Sequence, residues 1–424
     1  MKVDALFDDL AQRLRTAPDK QAARAVFERL ERRVGDGHVR IEWPMPARPA
    51  AAAAAASPQP DLCASIGYDA RQNGPGTADR LAGYQPLQPA DGNAFAAGTF
   101  ASVGVPVGVV RIGVFQPKGY PELCRSAVQA LAIPVGKPCD DECQNRIVTW
   151  AYRRMGEMLE QRLRQLKAAG TEVLLVDISR NGGGSEWTEA AARMLTARQL
   201  VSARMGFVRG EHWVKQWRDL AANLRGHAAK ASPEDRQRLL SWAAEADAAK
   251  RNAQTPCPPA SPSCSNVAMA GFSTGLVGAA RAGTFSGKDW GVYVFNPAQH
   301  YYSDGVWSRP LIVLTDEETW SAAEQFAALL QDNRVAVVLG ARTGGAGCGY
   351  TWGGHPTTLK NSGAVLQLPD CVRFRADGSN EVRGVMPDVL TGARATDGAG
   401  LRARLTAERL PAAIAQARAL NAGK

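Results

Sequence analysis

Residues 310–340, PLIVLTDEETWSAAEQFAALLQDNRVAVVLG, decide the fold. An apolar run, PLIVLT, meets the acidic turn DEETW; a helical stretch over 320–331 follows, and a second apolar run, VAVVLG, closes the segment. Short continuous apolar runs read as strands buried on both faces, and the stretch between them has the length that a crossover between parallel strands requires. The segment is a βαβ unit, which makes the core α/β. Ser321 stands at the first turn of its helix, between bulky Trp320 and two alanines. There a hydroxyl is held at the sheet edge while free N–H groups, that of Ala322 among them, and the positive end of the helix face whatever the serine attacks. The same residues also spell an N-cap, Ser321 or Thr319, with Glu324 completing a capping box. On this segment alone both readings stand.

Working outward, TEVLLVDI (171–178) is a second buried strand, SRNGGGSE a turn and WTEAAARMLTARQL (187–200) a helix. Consecutive glycines let the backbone approach a ligand and turn N–H groups inward. A phosphate loop, an oxyanion loop and an ordinary tight turn are the readings, and NGGGSE has neither the Gly-Lys-Ser/Thr of a P-loop nor dinucleotide spacing. Near the N-terminus two helical stretches end in VGDGHVRI, where His38, one of five histidines, stands in a polar turn before an apolar strand. His212, His227 and His300 have no motif around them and are expected on the insertion and a surface loop. His355, in TWGGHPTTL after the RTGG turn, is a substitute base should His38 lie too far away.

The organisation that follows is a helical domain over 1–40 ending in the histidine motif, and a Pro/Ala-rich linker with irregular cover over 41–106. A catalytic α/β core spans 107–200 and 267–395. A helical, cysteine-containing insertion occupies 201–266, and a C-terminal helix covers 396–424. With 424 residues, 45% apolar, the chain buries a sizeable core. The net charge of +9 is spread through helices with acids interleaved, as in YRRMGEMLEQRLRQLK, so solvated helix faces rather than a nucleic-acid surface account for it. No stretch is long enough to span a membrane.

Eight cysteines favour disulfides: Cys139 with Cys143 and Cys257 with Cys264 by their close spacing in loop-like contexts, and Cys348 with Cys371 flanking the GGHPTTL region. A four-cysteine zinc site from the two close pairs is the rival, and it lacks the usual two-residue spacing. Disulfides imply an oxidising compartment, periplasmic or secreted. MKVDALFDDLAQRLRTA, however, is amphipathic rather than continuously apolar, so either an export signal precedes this numbering or the protein is cytoplasmic with free thiols.

VLLVDISRNGGGS, LTDEETWSAAEQFAALLQDNRVAVVLGARTGG and EVRGVMPDV, in that order and preceded by DGH, resemble the serine peptidases of the carboxyl-terminal processing (tail-specific) and tricorn family. The resemblance covers residues 30–40 and about 107–390, with gaps, and DGH is similar to the motif of the tricorn-like and retinoid-binding-protein-like branches. It implies a spiral core of ββα units like that of crotonases and the Clp peptidase. It also implies Ser321 as nucleophile, His38 as general base, Glu381 as the carboxylate that orients the catalytic machinery, and Gly183 with Ala322 as the oxyanion hole. Three departures matter. Ala346 stands where the tail-specific branch has its lysine base, so a Ser-Lys dyad is out; Gly37 stands where the tricorn protease has a serine; and 41–106 does not read as a PDZ module. The expectation is a serine peptidase acting through an acyl-enzyme on peptide or protein substrates, without cofactor or metal. A non-catalytic peptide or apolar-ligand binder of the same fold and a small-molecule ester or amide hydrolase remain as alternatives, and the insertion is a lid or an oligomer contact.

Overall fold

A computed structural model of the chain describes residues 3–34, 36–44, 61–88, 93–134, 138–255, 257, 265–349 and 357–423. Its centre is a seven-stranded sheet in the order Val389–Leu390, Val337–Gly340, Leu311–Thr315, Val173–Asp177, Val105–Arg111, Ala97–Ser102 and Gln85–Pro86. The first five strands pair in parallel and the last two add antiparallel. Every residue of Val173–Asp177 and of Leu311–Thr315 is buried, because both faces of the sheet are covered. Leu174, Val176, Leu311 and Val313 point to one core with Phe326 and Leu163 of the helices Ala322–Asp332 and Asp141–Ala168. The residues between them, Val173, Leu175, Ile312 and Leu314, point to the other, under Leu410, Ala413 and Ile414 of the C-terminal helix Ala399–Ala422. The two-residue period of the strands thus divides one apolar run between two cores.

The insertion is a helical hairpin, Glu211–Ala228 against Pro233–Gln254. Trp213, Trp217 and Leu224 fill against Leu239, Ala243, Ala246 and Ala249, small residues on the second helix making room for tryptophans on the first. It rests on a three-stranded antiparallel sheet ordered Cys371–Phe374, Arg204–Val208, Val267–Phe272. At the N-terminus the helices Val3–Arg15 and Lys20–Val34 bury Leu6, Leu10 and Leu30 together, with Asp19 capping the second by accepting from the Ala22 N–H at 2.7 Å. The next strand, Arg40–Glu42, pairs antiparallel with Val365–Gln367, and that ladder carries the N-terminal histidine to the core.

One expectation does not hold. Residues 97–102, assigned to irregular cover, form a full strand; AGTFAS has too few bulky apolar residues for its alternation to register, yet its partner Val105–Arg111 is unmistakably apolar. His300 stands in a loop, as expected, and is half-buried there, its ring 5.0 Å from that of Tyr152. Among the described residues no helix is long and apolar enough to cross a membrane.

Candidate active site

The DEETW turn is fastened to the glycine loop before it reaches the serine. The buried Asp316 carboxylate accepts from the N–H groups of Arg180 at 2.8 Å and Glu318 at 3.0 Å, Thr319 Oγ1 donates to the Ile178 carbonyl at 3.1 Å, and the Trp320 N–H donates to the Asn181 carbonyl at 2.9 Å. Burial pushes the Asp316 carboxyl above its ordinary pKa, with Asp177 adding to the effect. Trp320 lies between Gly37 and Gly344: a β-carbon on either would come within 3.0 and 2.6 Å of its ring. The bulky residue beside the serine therefore seats the histidine turn against the Thr343–Gly349 loop.

Ser321 follows at φ 55° and ψ −117°, a conformation that costs a residue with a β-carbon on the order of 1–3 kcal/mol. Gly183, at φ 105°, leaves space for it; a β-carbon there would lie 2.8 Å from that of Ser321. On the other side the Ser321 N–H donates to Glu324 at 2.9 Å. Glu324, fully buried, also accepts from Thr343 Oγ1 at 2.6 Å, Gly345 N–H at 2.6 Å, Ala346 N–H at 2.8 Å and Gly347 N–H at 3.3 Å. The Glu324 of the capping box is thus also the anchor of the loop.

The imidazole of His38 reaches Ser321 with its Nε2 3.0 Å from Oγ. Its Nδ1 lies 3.1 Å from Asp36 Oδ1 and 3.2 Å from the Ala346 carbonyl. A carboxylate and a carbonyl only accept, so Nδ1 carries the proton and Nε2 is left as the acceptor for the serine hydroxyl. The Asp36 carboxylate also takes the His38 N–H at 2.9 Å, and Gly349 makes room for the ring, since a β-carbon there would come within 2.7 Å of it. Asp36 was missed by the sequence reading, although it stands in the quoted DGH.

Two more of the expected residues lie around Ser321. Glu381 is buried, and of the two expected arrangements, on the imidazole or on a bridging partner, it takes the second: the Arg373 guanidinium meets its carboxylate, and donates onward to the Gly347 carbonyl at 2.8 Å and the Ser321 carbonyl at 3.3 Å. Burial pushes the Glu381 carboxyl up and Arg373 pulls it down. Gly183 adjoins Ser321 as expected, but its N–H donates to Asn181 Oδ1 at 2.8 Å in an Asx turn. The Ala322 N–H, by contrast, has no acceptor among the described residues. His355 lies outside the described residues, as does Cys264.

The disulfides join Cys139 to Cys143, Cys348 to Cys371 and, across 61 residues, Cys63 to Cys124; Cys257 is bonded as well. The Cys63–Cys124 pairing has no local spacing to betray it. No group of three or more His, Cys, Asp or Glu among the described residues is arranged to hold a metal ion.

The sequence model of peptidase family S41 matches residues 146–391, more than half of the chain, and the protein belongs to that family. Among solved structures it is similar to mature CPAF at 16% identity and a TM-score of 0.49, with 78% of this chain covered. It is also similar to the photosystem II D1 C-terminal processing protease at 17% identity and a TM-score of 0.31, covering 71% of this chain and 47% of that one. The tricorn protease matches at 14% identity and a TM-score of 0.26, over 66% of this chain and 20% of its own. The chain spans 57% of the length of the CPAF chain. No curated protein matches the sequence.

Proposed function

We propose that the protein is a serine peptidase that cleaves peptide bonds through an acyl-enzyme on Ser321, with His38 as general base. One observation carries the reading: His38 Nε2 lies 3.0 Å from Ser321 Oγ, while Nδ1 faces only acceptors. Nε2 takes the hydroxyl proton as the oxygen attacks the scissile carbonyl, and Asp36 stabilises the imidazolium that forms. The free Ala322 N–H receives the developing oxyanion. The Gly183 N–H joins it by leaving Asn181 Oδ1, because a charged oxygen is a stronger acceptor than a neutral amide oxygen. His38 then returns its proton to the leaving amine, and water attacks the acyl-enzyme by the same path in reverse. Glu381 works behind Ser321, through Arg373, rather than on the imidazole.

The absence of free cysteines among the described residues supports an oxidising compartment, periplasmic or extracellular. The decisive experiment is labelling with a fluorophosphonate together with hydrolysis of a peptide library. Wild-type protein is expected to label at Ser321. Ser321→Ala should lose both labelling and hydrolysis, while the thermal midpoint shifts by no more than the loss of a cap implies, about 1 kcal/mol. Wild-type turnover in Ser321→Ala removes the reading, and absence of labelling in the wild type favours a binding protein of the same fold.

A further inference from the structure

We infer that Arg373 is a positioning residue of the catalytic pair, holding the nucleophile and the loop that supports the base in one frame; this rests on the reading just given. Arg373 is 9% exposed, on the strand Cys371–Phe374. Its Nη2 donates to the carbonyls of Gly347 at 2.8 Å and Ser321 at 3.3 Å, its Nη1 donates to Gln325 Oε1 at 2.7 Å, and its Nε meets Glu381. Gln325 is itself fixed by donating to Glu189 Oε1 at 2.8 Å, and Glu189 is locked by Arg193, Ser202 and Ser273. The guanidinium therefore has no freedom to turn.

What it grips explains its effect. The loop Thr343–Gly349 is held by its N–H groups on Glu324 and by the Gly347 carbonyl on Arg373. Between those grips lies the Ala346 carbonyl that takes the Nδ1 proton of His38, and beyond them Gly349, against the ring. The same guanidinium holds the carbonyl of Ser321 itself. The two N–H bonds of that one nitrogen, one on the nucleophile's carbonyl and one on the loop that supports the base, set the 3.0 Å separation of Oγ and Nε2 without touching either atom. The Cys348–Cys371 bridge ties the neighbour of Gly347 to the strand bearing Arg373, so the clamp is covalently closed. A planar fork is needed because four acceptors lie in different directions; an ammonium at the end of a flexible stem cannot reproduce it.

Two variants test this. Arg373→Lys keeps a positive charge opposite Glu381. The pair Arg373→Met with Glu381→Gln removes both charges, so that no buried carboxylate is stranded. In each, with thermal midpoint recorded in parallel, kcat and the rate constant of fluorophosphonate labelling are expected to fall about 10- to 100-fold while KM stays within about twofold, the signature of a misplaced pair rather than a lost substrate contact. Arg373 lines a cavity of about 230 Å³ with Gln325, Glu381, Arg204 and Phe272, so in the neutral double variant ethylguanidinium should restore part of kcat saturably and ethylammonium should not. Wild-type kcat in either variant overturns the assignment, and so does an effect confined to KM. A wild-type protein that does not label at Ser321 defeats the serine reading itself, a result distinct from either.

Discussion

Ser321 occupies a backbone conformation that its own side chain disfavours, and everything around it is arranged to keep it there: Glu324 holds its N–H, Arg373 its carbonyl, and Gly183 has no β-carbon to displace it. Strain held this firmly at a nucleophile resembles a strand-to-helix elbow, in which the hydroxyl is thrust clear of the sheet. The base is set up with equal care by Asp36. Replacing Asp36 with Asn leaves an amide oxygen where Oδ1 accepts from both Nδ1 and the His38 N–H, so the tautomer is kept, but it removes the negative charge that stabilises the imidazolium. Asp36→Asn is expected to lower kcat by on the order of 10²-fold with little change in fold, measured as steady-state turnover beside circular dichroism. An unchanged kcat would mean that the charge of Asp36 does not stabilise the imidazolium. The serine was legible because a lone hydroxyl between a buried strand and a helix is a local pattern. The role of Asp36 was not, since an acid in a polar turn is unremarkable until its distance to the ring is known. Glu381 and Gly183 were legible as positions but not as contacts, because a motif carries no record of which atoms face each other.

At the scale of elements, apolar runs marked the strands that are buried on both faces, and helix length marked the crossover. The hairpin strand Ala97–Ser102 escaped because its residues are small, and the Cys63–Cys124 bridge because its partners lie far apart in sequence. That bridge pins the segment beginning at Cys63 to the helix Pro121–Ala130, around a small core of Tyr68, Ala127, Ile133 and Ile147. Loop closure predicts unequal contributions: about 4 kcal/mol for the 61-residue separation against about 2 kcal/mol for the 4-residue separation of Cys139 and Cys143. Replacing both partners by serine should accordingly lower the urea midpoint more for Cys63/Cys124 than for Cys139/Cys143. Equal shifts would show that local packing, rather than closure entropy, governs both.

Across the whole molecule, stability should depend on pH through a histidine that the proposed chemistry does not use. The ring of His300 packs beside Tyr152 of the long helix Asp141–Ala168, with Nδ1 buried and without a hydrogen-bond partner among the described residues. Burial lowers its pKa from 6.5 to about 4, because the charged form would lose its water and gain nothing in return. The sign follows from which state binds the proton. Above pH 6.5 the ring is neutral whether the chain is folded or not, and no penalty arises. Between 6.5 and about 4 the unfolded chain takes up a proton that the folded one refuses, so stability falls with pH; below about 4 both are protonated and the loss is complete. The total from this one group is at most a few kcal/mol, lessened by the solvent that reaches the half-buried ring. His300→Gln, which cannot titrate, should therefore show a flatter fall in urea-unfolding free energy than the wild type across that window, and the two should run parallel above pH 7. Parallel curves throughout the window would mean that His300 is protonated in the folded chain, and that its surroundings admit water.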